Sequence, residues 1–142
     1  MANILIACEE SQAICKAFRK RGHNAFSCDI LKCSGGHPEW HFNQDVLQVI
    51  PNHGGHLESG DEYYLPEGEE WDLLIAHPPC TYLSVSGARW LYHPDDANLP
   101  IEQRREHPHH IGRRKMKEEA EKFFLEFTKT NVRCWAIENP VG

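Results

Sequence analysis

The segment from Asn3 to Asp29 limits the possible folds more than any other. Asn3-Ile4-Leu5-Ile6-Ala7 is an apolar run of strand length, followed by polar Cys8-Glu9-Glu10-Ser11. Ala13, Ile14, Ala17 and Phe18 then recur at helical spacing, and Gly22 supplies the stop. Asn24-Ala25-Phe26-Ser27-Cys28 reads as a second strand that ends in Asp29. Strand, helix and strand joined by short loops make a βαβ unit, which pairs its strands in parallel and opens a Rossmann-like α/β fold. Sheets of this kind carry their ligands and chemistry at the carboxyl ends of the strands.

Two later strands matter for that edge. Trp71-Asp72-Leu73-Leu74-Ile75 reads as a buried strand that runs into Ala76-His77-Pro78-Pro79-Cys80-Thr81-Tyr82-Leu83. The paired prolines stiffen the loop and put the Cys80 thiol beyond the strand rather than inside it. Val132-Arg133-Cys134-Trp135-Ala136-Ile137 reads as another buried strand and delivers Glu138-Asn139-Pro140 to the same edge.

A Pro-Pro-Cys loop after one strand and a Glu-Asn motif after the next is the pairing found in DNA cytosine-5 methyltransferases, which the chain resembles here. Over most of its length it is similar to the small methyltransferase-like proteins common in phage genomes. The resemblance implies a Rossmann-like methyltransferase fold with a mostly parallel sheet of about five strands in the order 3-2-1-4-5 and flanking helices. Residues 1–142 are expected to form one catalytic domain ending after the fifth strand, with that last strand an exposed edge open to an oligomer or a complementing partner chain.

The resemblance also assigns roles. Cys80 is the nucleophile that adds to carbon 6 of cytosine, turning the ring into an enamine whose carbon 5 attacks a sulfonium methyl group. Glu138, if kept protonated by a low-dielectric pocket, hydrogen-bonds ring nitrogen 3, and Asn139 orients the loop. The cofactor is S-adenosylmethionine, with contacts from Glu9, Ser11, Asp29, Ile30, Asp45, Val46 and Pro78. Asp29, at the end of the second strand, suits the ribose diol because a carboxylate accepts two hydrogen bonds. Asp45, in Gln44-Asp45-Val46-Leu47, suits the adenine amino group. Each has a plainer structural role open to it: Asp29 as a turn aspartate, Asp45 as the N-cap of a short helix through Val46, Leu47 and Ile50 ending near Pro51, and Glu9 and Glu10 as helix caps. The family has glycines between the first strand and helix, and this chain has none there.

Size and charge narrow the setting. At 142 residues, a chain buries roughly 70% of its unfolded surface, enough for one core. A formal charge of -6 argues against a broad footprint on nucleic-acid backbone, so contact with DNA or a nucleotide substrate is expected to be local or supplied by another chain. The six cysteines lie in or beside apolar segments without the spacing of a disulfide framework, and Met-Ala-Asn-Ile-Leu lacks the basic start of a signal peptide. Reduced thiols and a cytoplasmic location, the host cytoplasm for a phage protein, are expected. No apolar run approaches the ~20 residues of a membrane span.

Other segments offer competing chemistry. Cys28, Cys33, His37 and His41 could form a zinc array, but Cys28 belongs to a buried strand and the array lacks a Cys-x2-Cys knuckle, so no metal is expected. His37-Pro38-Glu39 with Pro79-Cys80 resembles a zinc deaminase signature, but Leu83 stands where a third ligand is required. Residues 52–70 read as an acidic surface excursion with room for a small hairpin. Arg104, Arg105, Arg113 and Arg114 form a basic cluster suited either to phosphate or to a solvated helix face. Met116, Ala120, Phe123, Phe124 and Phe127 predict an amphipathic helix packed on the sheet. A second function is compatible with all of this: a methyltransferase fold that binds a nucleotide-like ligand or a host protein without catalysis.

Overall fold

The structure, a computed structural model, describes residues 1–77, 93–106, 108–109 and 112–138. Cys80, Pro78, Asn139 and the segment from Ser84 to Leu91 lie outside the described residues. The chain divides into two compact units, Met1–Pro78 with Glu126–Glu138 and Pro79–Leu125 with Asn139–Gly142.

The first unit is α/β. Strands β1 (Asn3–Ala7), β2 (Asn24–Cys28) and β3 (His41–Phe42) are followed by helix α2 (Val46–Asn52) and the hairpin β4 (Gly54–His56) and β5 (Glu62–Tyr64). Helix α1 (Ala13–Lys20) connects β1 to β2, and β6 (Leu73–Ala76) and β7 (Cys134–Ile137) complete the set. The main sheet runs β3-β2-β1-β6-β7 with every pairing parallel. Counted along the chain, this differs from the expected order 3-2-1-4-5. Here β4 and β5 pair with each other in a separate antiparallel sheet, so β6 and β7 are the fourth and fifth strands of the parallel sheet.

Side chains of β1 alternate between two faces of the sheet, and all five of its residues are buried. Leu5 pairs with Phe26 on one side and Leu74 on the other, and all three are buried. Ile4 and Ile6 point the other way and form a cluster with Cys15 and Ala25, against which Ile14 and Phe18 of α1 pack. Helix α1 stops at Lys20, where Gly22 takes a φ of +85°, a left-handed conformation that a side chain would disfavour.

The hairpin segment differs from the expectation of a purely surface excursion. Tyr63 stacks on Phe26 with ring centroids 4.5 Å apart, Phe26 also packs on Phe42 at 5.1 Å, and Leu65 is buried. Trp71 meets Phe26 and Phe42 edge-on. Phe42, Tyr63 and Trp71 thus surround Phe26 with aromatic contacts.

β7 was expected to be buried and is not: Cys134, Trp135 and Ala136 are exposed. It pairs only with β6 among the described residues, so one of its edges has no strand beside it. The helix expected after residue 112 is present as α3 (Arg113–Thr128). Phe127 is fully buried, whereas Met116 is 43% exposed and does not belong to a core stripe.

In the second unit, two single 3-10 turns, Pro94–Asp96 and Ile101–Gln103, are tied together by Asp96. Its carboxylate accepts hydrogen bonds from the Arg105 backbone N–H (2.8 Å), Nε (3.0 Å) and Nη2 (2.9 Å), which hold its pKa down at about 2. Arg104 donates to the carbonyls of Leu99 and Ala97. These two arginines therefore brace a loop rather than form a basic helix face. No helix of the described residues is long and apolar enough to cross a membrane.

Candidate functional site

Parallel pairing puts the ends of five strands on one edge, and the backbone ladder continues past each strand. The Glu9 N–H donates to the Cys28 carbonyl (3.2 Å), Asp29 to Phe42 (3.1 Å), His77 to Ala7 (3.0 Å) and Glu138 to Ala76 (2.9 Å). Cys8, Asp29, His77 and Glu138 therefore stand in a row along the carboxyl edge, and Asp45 begins the helix that follows β3.

Asp29 and Asp45 each use one carboxylate oxygen locally. Asp29 Oδ1 accepts from Leu31 N (2.9 Å) in an Asx turn, and Asp45 Oδ1 accepts from Leu47 N (3.0 Å) as the N-cap of α2. Their second oxygens accept no hydrogen bond among the described residues. Asn43 Nδ2 donates to the carbonyls of Asp29 and Ile30, fixing the loop that bears them. Ile30 is 76% exposed beside the two acids, whereas Val46 is buried. The Cys8 thiol lies in the field of both carboxylates: burial first, then Asp29 and Asp45, push its pKa up to about 12.

The β1–α1 loop reaches its shape without glycine. Cys8 and Gln12 adopt left-handed φ values of 60° and 61°, a conformation uncommon outside glycine and sustained only where surrounding contacts over-determine it. Gln12 supplies such contacts. Fully buried, it donates to Ser27 Oγ (3.1 Å) and to the His37 carbonyl (2.8 Å), and its Oε1 accepts from His37 N (3.0 Å). Gly35 closes over the same loop, where a Cβ would meet the Ser11 carbonyl at 2.5 Å.

Glu9 has a structural role. Its carboxylate accepts from Ile14 N (2.8 Å) and Cys15 N (3.2 Å), covering the first N–H groups of α1. Both oxygens are thereby engaged by the helix rather than directed to a ligand. Ser11 Oγ accepts from Ala13 N at 3.5 Å, a long contact.

At the other end of the row, His77 Nδ1 and Glu138 Oε2 are 2.5 Å apart. Ala76 pairs with Ile137, so the two following residues leave adjacent strands together. His77 Nε2 is buried and has no hydrogen-bond partner among the described residues. Sequence reasoning passed over His77, although a polar residue between a strand end and a proline pair was its visible signal. It also passed over Gln12, whose role depends on the backbone of His37, 25 residues further along the chain.

The zinc array does not assemble. His41 bonds Ser27 Oγ and the Leu31 carbonyl through its two ring nitrogens, Cys28 Sγ contacts the Gln44 carbonyl, and His37 pairs with Glu39. Among the described residues, no group of three or more His, Cys, Asp or Glu is placed to hold a metal ion.

A cavity of about 390 Å³ lies at the opposite, amino edge, bounded by Ile50, Pro51, His53, Trp71, Lys129 and Val132. Nothing in it continues the row of acids. Comparison with protein-family models, with characterised proteins and with solved structures gives no match to this chain.

Proposed function

We propose that the chain is an S-adenosylmethionine-dependent methyltransferase-like protein acting on cytosine in DNA, built on the Rossmann-like arrangement of its sheet. One observation carries the reading: Asp29 and Asp45 both lie at the carboxyl edge near Cys8, each with one oxygen that accepts no hydrogen bond among the described residues, and Ile30 next to Asp29 is exposed.

The residues fit the cofactor at its nucleoside end. Asp29 would accept from the ribose diol, Asp45 from the adenine amino group, and Ile30 would cover the ring with apolar surface. Glu9 fits the cofactor less well, since α1 takes both its oxygens. When bound, S-adenosylmethionine supplies an electrophilic methyl group. Cys80, three residues after His77 in sequence, would add to carbon 6 of the base, and Glu138 would meet ring nitrogen 3 from the next strand end. An oligonucleotide containing 5-fluorocytosine tests this in the presence of the cofactor. A covalent adduct with the native chain, absent with Cys80→Ser, is expected; no adduct from a cofactor-saturated protein would oppose it.

A second reading is favoured by a separate observation. Glu138 is already the close partner of His77, and a carboxylate that accepts from imidazole is not the neutral acid that cytosine addition requires. A chain fixed in that state would bind the nucleoside ligand without transferring its methyl group.

A further inference from the structure

The chain carries a net charge of -6, yet α1 contains no acid: its sequence is Ala-Ile-Cys-Lys-Ala-Phe-Arg-Lys. Lys16 and Lys20 are four residues apart, an arrangement of like charges that costs a helix stability rather than adding to it. Arg19 and Lys20 suit the negative end of the helix dipole, but Lys16 lies a turn earlier and gains little from it. Neither Lys16 nor Lys20 has a carboxylate partner among the described residues.

These lysines line a groove of about 610 Å³ with Ala13, Ala17, His37 and Trp40, within the size range of ligand clefts. Its far wall is aromatic. The His37 imidazole lies flat on the Trp40 indole, with ring centroids 3.9 Å apart and an interplanar angle of 11°. Arg19 sits over the Trp40 ring at 4.6 Å and is anchored by the Ala25 carbonyl at 2.7 Å. With one face against Trp40 and 38% of its side chain exposed, His37 forms the open end of this stack. One acid stands against this wall among the described residues: Glu39, whose Oε1 lies 2.9 Å from His37 Nδ1.

We infer that the α1 groove binds single-stranded nucleic acid, with Lys16 and Lys20 on successive phosphates and a base stacked on His37. Charge selects the ligand: two lysines one helical turn apart, without a carboxylate partner among the described residues and beside a flat ring, suit a phosphate backbone and its bases. The small Ala13 and Ala17 leave room between them. Glu39 keeps the imidazole oriented by its hydrogen bond. The choice of nucleic acid as ligand rests on the cytosine reading above, but the groove shares no residue with the carboxyl-edge row.

The test is fluorescence anisotropy of a labelled oligothymidylate of about 12 nucleotides with the full chain, in low salt and without cofactor. Binding should weaken at least tenfold in Lys16→Glu/Lys20→Glu and be retained in Lys16→Arg/Lys20→Arg. The slope of log affinity against log salt should fall by about 1.4, two phosphates' worth for a single strand. His37→Ala should weaken binding by about fivefold or more. Circular dichroism checks the fold of each variant. No binding by the native chain, or binding that ignores the charge reversal, overturns the assignment. So does light scattering that shows the reversal breaking a dimer while strand binding persists, because the groove's occupant would then be a second copy. Since no cofactor is present, failure here leaves the methyl-donor reading standing, and failure of that reading leaves strand binding measurable.

Discussion

His77 Nδ1 and Glu138 Oε2 meet at 2.5 Å across the ends of two adjacent parallel strands. The contact joins residues 61 positions apart in the chain. Where Glu138 is ionised its oxygen accepts from Nδ1–H, and Nε2 is buried with no hydrogen-bond partner among the described residues. The contact orients the imidazole at the edge where ligands of such sheets bind. It predicts a downfield, slowly exchanging Nδ1–H resonance for His77 in proton NMR. Glu138→Ala should abolish that resonance, and an unchanged spectrum would mean that the two side chains do not meet in solution.

Cys8 reports on the acids beside it. Its thiol is pushed up to about 12 by burial, with Asp29 and Asp45 adding to the shift. At neutral pH it should therefore alkylate slowly, as followed by mass spectrometry of its peptide. Replacing both acids, Asp29→Asn with Asp45→Asn, removes two negative neighbours and should lower the thiol pKa and speed alkylation, while burial keeps it above the ordinary value. The sign for stability follows. The unfolded thiol ionises near 9 and the folded one near 12, so this contribution is complete below pH 9 and is lost as the pH rises towards 12. Denaturation midpoints should fall across that window, and less steeply in Cys8→Ser.

Gln12 holds a non-glycine left-handed turn in place, and its amide serves Ser27 and both backbone groups of His37. Gln12→Ala leaves buried groups without partners and should destabilise the protein by about 1–3 kcal/mol. Urea unfolding measures this, and a loss well under that range would show the loop to be held by other contacts.

The opening βαβ unit was legible because a short apolar run of strand length is followed by apolar residues at helical spacing in α1 and a second short strand. β1 and β2 occupy the expected residues, Asn3–Ala7 and Asn24–Cys28. The hairpin's share of the core was not legible. Tyr63 sits in an acidic stretch, and its stacking on Phe26, 37 positions earlier, ties it to the core. β7 was misread for a related reason: Cys-Trp-Ala-Ile has the composition of a buried strand, but burial depends on neighbours on both sides, which composition does not encode. In the candidate site, Asp29 and Asp45 could be named from their places after strands. Glu9 could not be sorted between ligand and cap, because the choice depends on whether Ile14 and Cys15 N–H groups turn towards it. His77 gains meaning only from Glu138, which the sheet brings beside it.

The paired acids of the carboxyl edge are the centre of this account, and calorimetry with S-adenosylmethionine tests them most directly. The Asp45 side chain caps α2, so Asp45→Ser is the variant of choice: it keeps a capping oxygen, avoids the ~1 kcal/mol loss of an alanine, and removes the carboxylate. Saturable binding by the native chain, weakened tenfold or more by Asp29→Ala and by Asp45→Ser, is the predicted result. A folded native chain that gives no binding heat at any cofactor concentration, or binding that both variants leave unchanged, would contradict it.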